Sequence, residues 1–203
     1  MNAATDRLAL GFTNPVDDSQ QLFRGLLTAM SEPGQIGSVA MLDQHPGPLG
    51  IASFALALTL LDRHSSYALT SGVDRPEVRQ SIAFHCNAPL ARECDAPDFL
   101  FCREDEIPAL ERLNTGSEAY PDQSTTLVVQ CQSLEKGPTM IATGPGIAGQ
   151  RVIACSAIGE HLVAQRERLQ TRFPLGIDMI FTRERAYFCL PRTTRLRPQG
   201  HRA

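Results

Sequence analysis

A single-domain α/β fold, with a mixed sheet flanked by helices, is predicted by three observations. Short β-branched or aromatic runs alternate with apolar residues at helical spacing. Apolar residues (42%) and charged ones (20%) stand in ordinary globular proportion, and no repeat or low-complexity linker divides the 203 residues. A chain of this size buries one substantial core.

The elements follow in order. Asp17, Asp18 and Ser19 supply helix caps, after which Leu22, Phe23, Leu26, Leu27 and Met30 form one apolar face, and Glu32-Pro33-Gly34 stops the helix. An extended piece over 36–42 and a His-Pro-Gly-Pro loop lead into a buried helix over 49–61. A strand is expected at 67–70, a helix over 75–84 opened by Pro76, and a strand at 99–102. A helix is expected over 107–113, ending at Asn114-Thr115-Gly116.

Residues 125–131 are the clearest β-branched run, and 139–143 is expected to pair with it across the Lys136-Gly137-Pro138 turn. Residues 151–155 continue as a β-like run. A surface helix over 159–172 turns Leu162, Val163, Arg166 and Leu169 to one face, and 179–182 with 187–190 form a terminal hairpin. The arginines at 192, 195, 197 and 202 read as a solvated, Arg-rich tail over about 195–203.

A net charge of −3 and a pI near 5.9 argue against a nucleic-acid surface. Residues 1–11 carry Asp6 and Arg7 and lack the apolar run of a signal peptide, and 49–61 is too short to span a bilayer. The expectation is a cytoplasmic protein with no membrane partner. Six cysteines lie scattered without a Cys-x-x-Cys pair, as suits reduced, buried thiols. The pair His85-Cys86 would point to opposite faces of a strand, so no metal site is expected.

Gly144-Pro145-Gly146-Ile147-Ala148-Gly149 matches the dinucleotide fingerprint in letters, but a β-like run follows where the fingerprint needs a helix. It reads as a tight strand-to-loop corner, with anion capture by its backbone N–H groups as an alternative. Lys136 is the sole lysine and lies in a turn, which excludes a pyridoxal phosphate aldimine. The serines and five histidines give no spaced nucleophile, base and orienter. Asp178, opening an apolar strand, reads as an acceptor of N–H groups or the partner of an arginine such as Arg192, with a raised-pKa acid as the alternative; a partner is expected because an unpaired buried carboxylate costs several kcal/mol, roughly.

Two corners near the C-terminus are the most specific features: Phe173-Pro174-Leu175-Gly176-Ile177-Asp178 and Leu190-Pro191-Arg192-Thr193-Thr194. With Phe23-Arg24, Met30-Ser31-Glu32-Pro33-Gly34, Phe84-His85-Cys86-Asn87-Ala88-Pro89-Leu90, Leu113-Asn114-Thr115-Gly116 and Thr143-Gly144-Pro145-Gly146-Ile147, they make the chain resemble the PhnH family, the H subunit of the bacterial carbon–phosphorus lyase system for phosphonate breakdown. The matched stretches fall in order over nearly the whole chain.

The resemblance implies a fold similar to the large domain of pyridoxal phosphate-dependent transferases, without the cofactor or its lysine. It implies a homodimer that joins subunits G, I and J and acts with subunit L, in a step where phosphonate displaces adenine from the ribose C1′ of ATP. The product is α-D-ribose 1-methylphosphonate 5-triphosphate when the substrate is methylphosphonate. ATP and phosphonate are then substrates of the complex, and this subunit holds no cofactor of its own. Its role is structural or substrate-gating, with no catalytic residue assigned and little or no activity alone. The candidate anion-binding or interface residues are Arg24, Gly144, Gly146, Ile147, Asp178, Arg192, Thr193 and Thr194, since guanidinium, hydroxyl and backbone N–H groups suit phosphonate or triphosphate oxygens. The competing assignment is a self-sufficient nucleotide- or phosphonate-binding enzyme that uses the Gly144 to Gly149 corner.

Overall fold

The central strands are apolar on both sides, and this decides the layering. The computed structural model describes residues 8–91 and 96–200. Its elements are α1 (Pro15–Ser31), β1 (Gly37–Ser38), α2 (Ile51–Leu60), β2 (Tyr67–Leu69), α3 (Pro76–Cys86), β3 (Phe99–Arg103), β4 (Thr126–Gln130), β5 (Thr139–Thr143), β6 (Arg151–Ala154), α4 (Glu160–Gln170), β7 (Asp178–Arg183), β8 (Ala186–Leu190) and β9 (Arg195–Pro198). Six strands form a mixed sheet in the order β1-β8-β7-β4-β3-β2. Within it β2, β3, β4 and β7 run parallel, whereas β8 is antiparallel to β7 and β1 to β8. A second, antiparallel sheet has the order β6-β5-β9.

Alternate residues of the large sheet serve two different cores, as the two-residue side-chain period requires. Phe101, Val128, Ile180, Tyr187 and Cys189 face the layer of α1, α2 and α3. Leu100 and Cys102, Leu127 and Val129, Met179 and Phe181, and Phe188 and Leu190 face the small sheet and α4. Burial on both faces explains why these strands read as continuous apolar runs. Phe181 and Phe188 stack with ring centroids 5.0 Å apart, and burying each contributes about 1.5–3 kcal/mol.

Helix α4 turns Leu162, Val163, Arg166 and Leu169 inward, the face expected from the sequence, and all four are buried. In α2 the buried run from Ala52 to Ala57 packs under α1 and α3. Among the described residues, no helix is long and apolar enough to cross a membrane.

Five local readings are corrected. β5 does not pair with β4, because β4 is already flanked by β3 and β7, with Thr126 opposite both Phe99 and Asp178. Instead β5 is the middle strand of the small sheet, between β6 and β9. The expected helix over 107–113 is a single 3₁₀ turn, Leu110–Arg112, preceded by another at Glu104–Glu106. Ile107 and Ala109, either side of Pro108, are extended, and the Leu110 N–H donates 2.7 Å to Gln165 Oε1 instead of starting a helix. The residues taken as caps lie inside α1. The cap position is Asn14, whose N–H donates 2.9 Å to Asp18 Oδ2, and Asp17 and Asp18 sit at the positive end of the helix.

His85 and Cys86 form the last turn of α3 rather than a strand, and His85 Nε2 pairs with the Ala9 carbonyl at 2.9 Å. Finally, the arginine-rich segment is not a solvated tail from 195 onward. β9 pairs with β5 over Met140 to Thr143 and buries Leu196. His201 and Arg202, like Cys94, lie outside the described residues.

Candidate functional site

The two C-terminal corners meet at the ends of β7 and β8. Asp178 is the first residue of β7, and Arg192 lies two residues past β8. Arg192 Nε donates to Asp178 Oδ1 and Oδ2 at 3.3 and 3.1 Å, Nη2 to Oδ2 at 2.5 Å, and the Arg192 backbone N–H to Oδ1 at 2.7 Å. The partner inferred for Asp178 from sequence is therefore the one it has. The pair is mostly buried, with side-chain exposures of 15% and 23%.

The rest of the guanidinium is spent inside the protein as well. Nη1 donates to the carbonyls of Pro121 (2.6 Å) and Pro174 (3.3 Å), and Nη2 to Ser124 Oγ (2.6 Å). All the donors of Arg192 are thus engaged. Gly176 lets the arginine pass, since a Cβ there would lie 2.9 Å from Arg192 Cβ, and its N–H donates 3.0 Å to the Thr115 carbonyl. One side chain ties together the 115–124 loop, the cis Phe173-Pro174 segment, the start of β7 and the turn after β8.

Helix α4 holds that turn from below. Arg166 Nη2 donates to the carbonyls of Pro191 (2.8 Å) and Thr194 (3.2 Å), and Gln170 Nε2 to Thr194 O (2.7 Å). Burial lowers the Arg166 pKa to about 10, partly offset by the charge of Asp178, so the group stays cationic at neutral pH. Its Nε and the Thr194 hydroxyl are buried with no partner among the described residues.

Beside this corner, between the small sheet and the end of α4, lie two adjoining hollows of about 480 and 400 Å³ that share Thr143, Gln170 and Arg195. The smaller is also lined by Gly144, Arg192 and Thr193. Arg195 is exposed there, with no ion pair or side-chain hydrogen bond among the described residues. A guanidinium with unspent donors beside threonine hydroxyls can accept an anion in a fork geometry.

The structure thus gathers Gly144, Asp178, Arg192, Thr193 and Thr194 at one end of the molecule. The other candidates lie elsewhere. Gly146 (φ 80°) packs against the end of α1, where the Ser31 carbonyl leaves no room for a Cβ. Ile147 is turned toward the core, and its N–H is taken by the Gly144 carbonyl at 3.2 Å. The glycine corner is the loop joining β5 to β6, so the helix that a dinucleotide fingerprint needs is not there. Arg24 stands on the exposed side of α1, 3.4 Å from Gln20 Oε1.

Sequence reasoning missed Ser124, Gln170 and Arg195. Only Arg166 left a signal, a cation on the apolar face of a helix.

Comparison with known proteins adds the family context. The family described as "Bacterial phosphonate metabolism protein (PhnH)" matches residues 10–197. A protein of Rhizobium meliloti (strain 1021), named "Alpha-D-ribose 1-methylphosphonate 5-triphosphate synthase subunit PhnH", is 36% identical over 197 residues, which cover 97% of this chain and 98% of that protein. The Stutzerimonas stutzeri protein named "Putative C-P lyase subunit protein HtxG" is 30% identical over 182 residues, 89% of this chain and 87% of that one.

Proposed function

The chain belongs to the PhnH family of bacterial phosphonate metabolism proteins, and from that premise we propose that it is a subunit of the carbon–phosphorus lyase assembly, required when alkylphosphonate displaces adenine from ATP. The observation that carries this reading is the end-to-end match to the Rhizobium meliloti synthase subunit, at 36% identity with nearly full coverage of both chains. In this reading the chain forms a homodimer in the cytoplasm and joins subunits G, I and J, with subunit L acting at the same step. It brings no cofactor, and ATP and phosphonate are substrates of the complex as a whole. It is a transferase subunit with little or no activity alone.

Two features of the structure support a structural or gating role. Arg192, the candidate best suited by type to a substrate anion, spends its side-chain donors on Asp178, Ser124 and the carbonyls of Pro121 and Pro174 in its own chain. The outer side of α1 carries Val16, Phe23 and Leu27 at 80%, 43% and 53% exposure, an apolar stripe of the sort that marks a protein interface. Where the subunit touches substrate, Arg195 in the cleft is the cation with donors to give. A mixed sheet with a parallel centre and an exposed Lys136 fits kinship with the large domain of pyridoxal phosphate-dependent transferases, without their cofactor.

The test is adenine release from ATP and methylphosphonate by subunits G, I and L, with and without this chain, and by the chain alone. Activity that depends on the chain, with none from the chain alone, is expected. Undiminished activity without it, or adenine release by the chain alone, would overturn the reading.

A further inference from the structure

Two buried sulfurs that belong to different sheets touch. Cys131 directly follows β4 in the six-stranded sheet, and Cys155 directly follows β6 in the three-stranded one. Their Sγ atoms are 3.8 Å apart. Cys131 is 6% exposed and Cys155 fully buried.

The backbone around them is braced. Ser156 N donates 3.0 Å to the Ser133 carbonyl, and Ser133 N donates 3.0 Å to Ser156 Oγ. Glu104 accepts from both strands of this brace, at 2.5 Å from Ser156 Oγ and 3.1 Å from Gln132 N. Gly137 closes over the far side, where a Cβ would meet the Cys155 carbonyl group at 2.7 Å. At 3.8 Å the two sulfurs stand within about 2 Å of the S–S bonding distance of about 2.05 Å.

The pair also has a donor and an acceptor side. The hydrogen bond shared by the sulfurs, then the N–H groups of Ala157 and Ile158, favour the thiolate at Cys155 against the cost of burial. The same shared bond, reinforced by burial, keeps the proton on Cys131. Cys131 lines a cleft of about 300 Å³ between the start of α2 and the ends of β4 and β7, with Gly50, Ser53, Gln130 and Thr182. Of the two sulfur-bearing residues Cys131 is the less buried, at 6% against 0% exposure, and is the one a small oxidant reaches first.

We propose that Cys131 and Cys155 are a modification site: a dithiol that hydrogen peroxide converts to a reversible disulfide stapling the small sheet to the large one. The proton shared by the two sulfurs passes to Cys155, and the Cys131 thiolate so formed attacks one peroxide oxygen as the O–O bond breaks; the departing hydroxide takes the proton from Cys155 and leaves as water. The Cys155 thiolate then attacks the resulting sulfenic sulfur, and the displaced hydroxide takes a solvent proton as a second water. Two thiols and one peroxide give one disulfide and two waters, and a dithiol reductant reverses the change by exchange.

The experiment treats the purified wild-type chain with hydrogen peroxide, removes the excess, and measures intact mass and a non-reduced peptide map. A loss of two hydrogens, a cross-linked peptide joining Cys131 to Cys155, and recovery of both thiols with dithiothreitol are expected. In the Cys155→Ser variant, Cys131 should stall as a sulfenic acid captured by dimedone; in Cys131→Ser, Cys155 should stay unmodified. If a variant does not fold, the wild-type map decides alone. Both thiols fully alkylatable after peroxide treatment and unfolding, or a disulfide that maps to other cysteines, would overturn the proposal.

Discussion

Replacing Arg192 with alanine tests whether the C-terminal corner is a structural clamp or a ligand site. The substitution removes donors to Asp178, Ser124 Oγ and the carbonyls of Pro121 and Pro174, leaving the carboxylate with only the backbone N–H of residue 192. Stranding one partner of a fully buried pair costs roughly 3–5 kcal/mol. With side-chain exposures of 15% and 23%, solvent recovers part of that, so about 2–4 kcal/mol is expected. For a domain of this size that is a fall in Tm of roughly 5–12 °C. Arg192→Lys keeps the charge but cannot span four acceptors with one ammonium, and should lose about half as much.

The assay is urea unfolding of Arg192→Ala, Asp178→Ala and the double variant. The coupling between the two sites should exceed ~1.5 kcal/mol. A single variant within about 0.5 kcal/mol of the parent, combined with loss of adenine release in the reconstituted complex, would refute the clamp. Arg192 would then be serving a substrate or a partner subunit.

Three further outcomes are expected. Partial burial raises the Glu106 pKa, but hydrogen bonds from Ser71, Thr70 and the Gly72 N–H outweigh that and hold it below the ordinary value of 4.5. A depressed carboxylate pKa stabilises the fold above the unfolded value and loses that contribution as pH falls through the folded one. Glu106→Gln should therefore destabilise by about 1 kcal/mol at neutral pH, with the gap to the parent closing below pH 4.5 in pH-dependent urea melts. Arg195→Ala should leave Tm unchanged, because its side chain has no ion pair or hydrogen bond among the described residues, while raising the KM for phosphonate or ATP in the reconstituted assay; an unchanged KM removes Arg195 from substrate handling. Phe23→Glu, at a position 43% exposed on α1, should abolish self-association or capture by the partner subunits in size-exclusion chromatography, with Tm kept.

What the sequence made legible is what local chemistry controls. Helix α4 could be placed on its buried face from Leu162, Val163, Arg166 and Leu169 alone, because a 3.6-residue period is written into adjacent positions. The strands were legible one at a time for a similar reason. Of their partners only the β7–β8 hairpin was legible, because a short turn joins it: Thr139 to Thr143 has the apolar pattern of any buried strand, and nothing local says that both edges of β4 are taken by β3 and β7. Pairing is a global decision about which edges remain open. The same holds for β9, whose arginines resemble a solvated tail until β5 offers Leu196 a place to be buried.

The site divides along the same line. Asp178 and Arg192 could be joined on paper because a carboxylate opening a buried strand requires a cation, and desolvation makes that demand large enough to act as a rule. No comparable demand falls on Arg195, which water satisfies, so its position over the cleft left no trace in its neighbours. The physical consequence is a bias in what sequence reading finds. Residues whose isolation is costly are recognised, and those are the ones the fold consumes: all of Arg192's donors end on its own chain. A group kept for a ligand must stay unsatisfied or wet in its absence. In this chain the search for substrate contacts therefore belongs at Arg195, where donors are unspent, before the conspicuous LPRTT arginine.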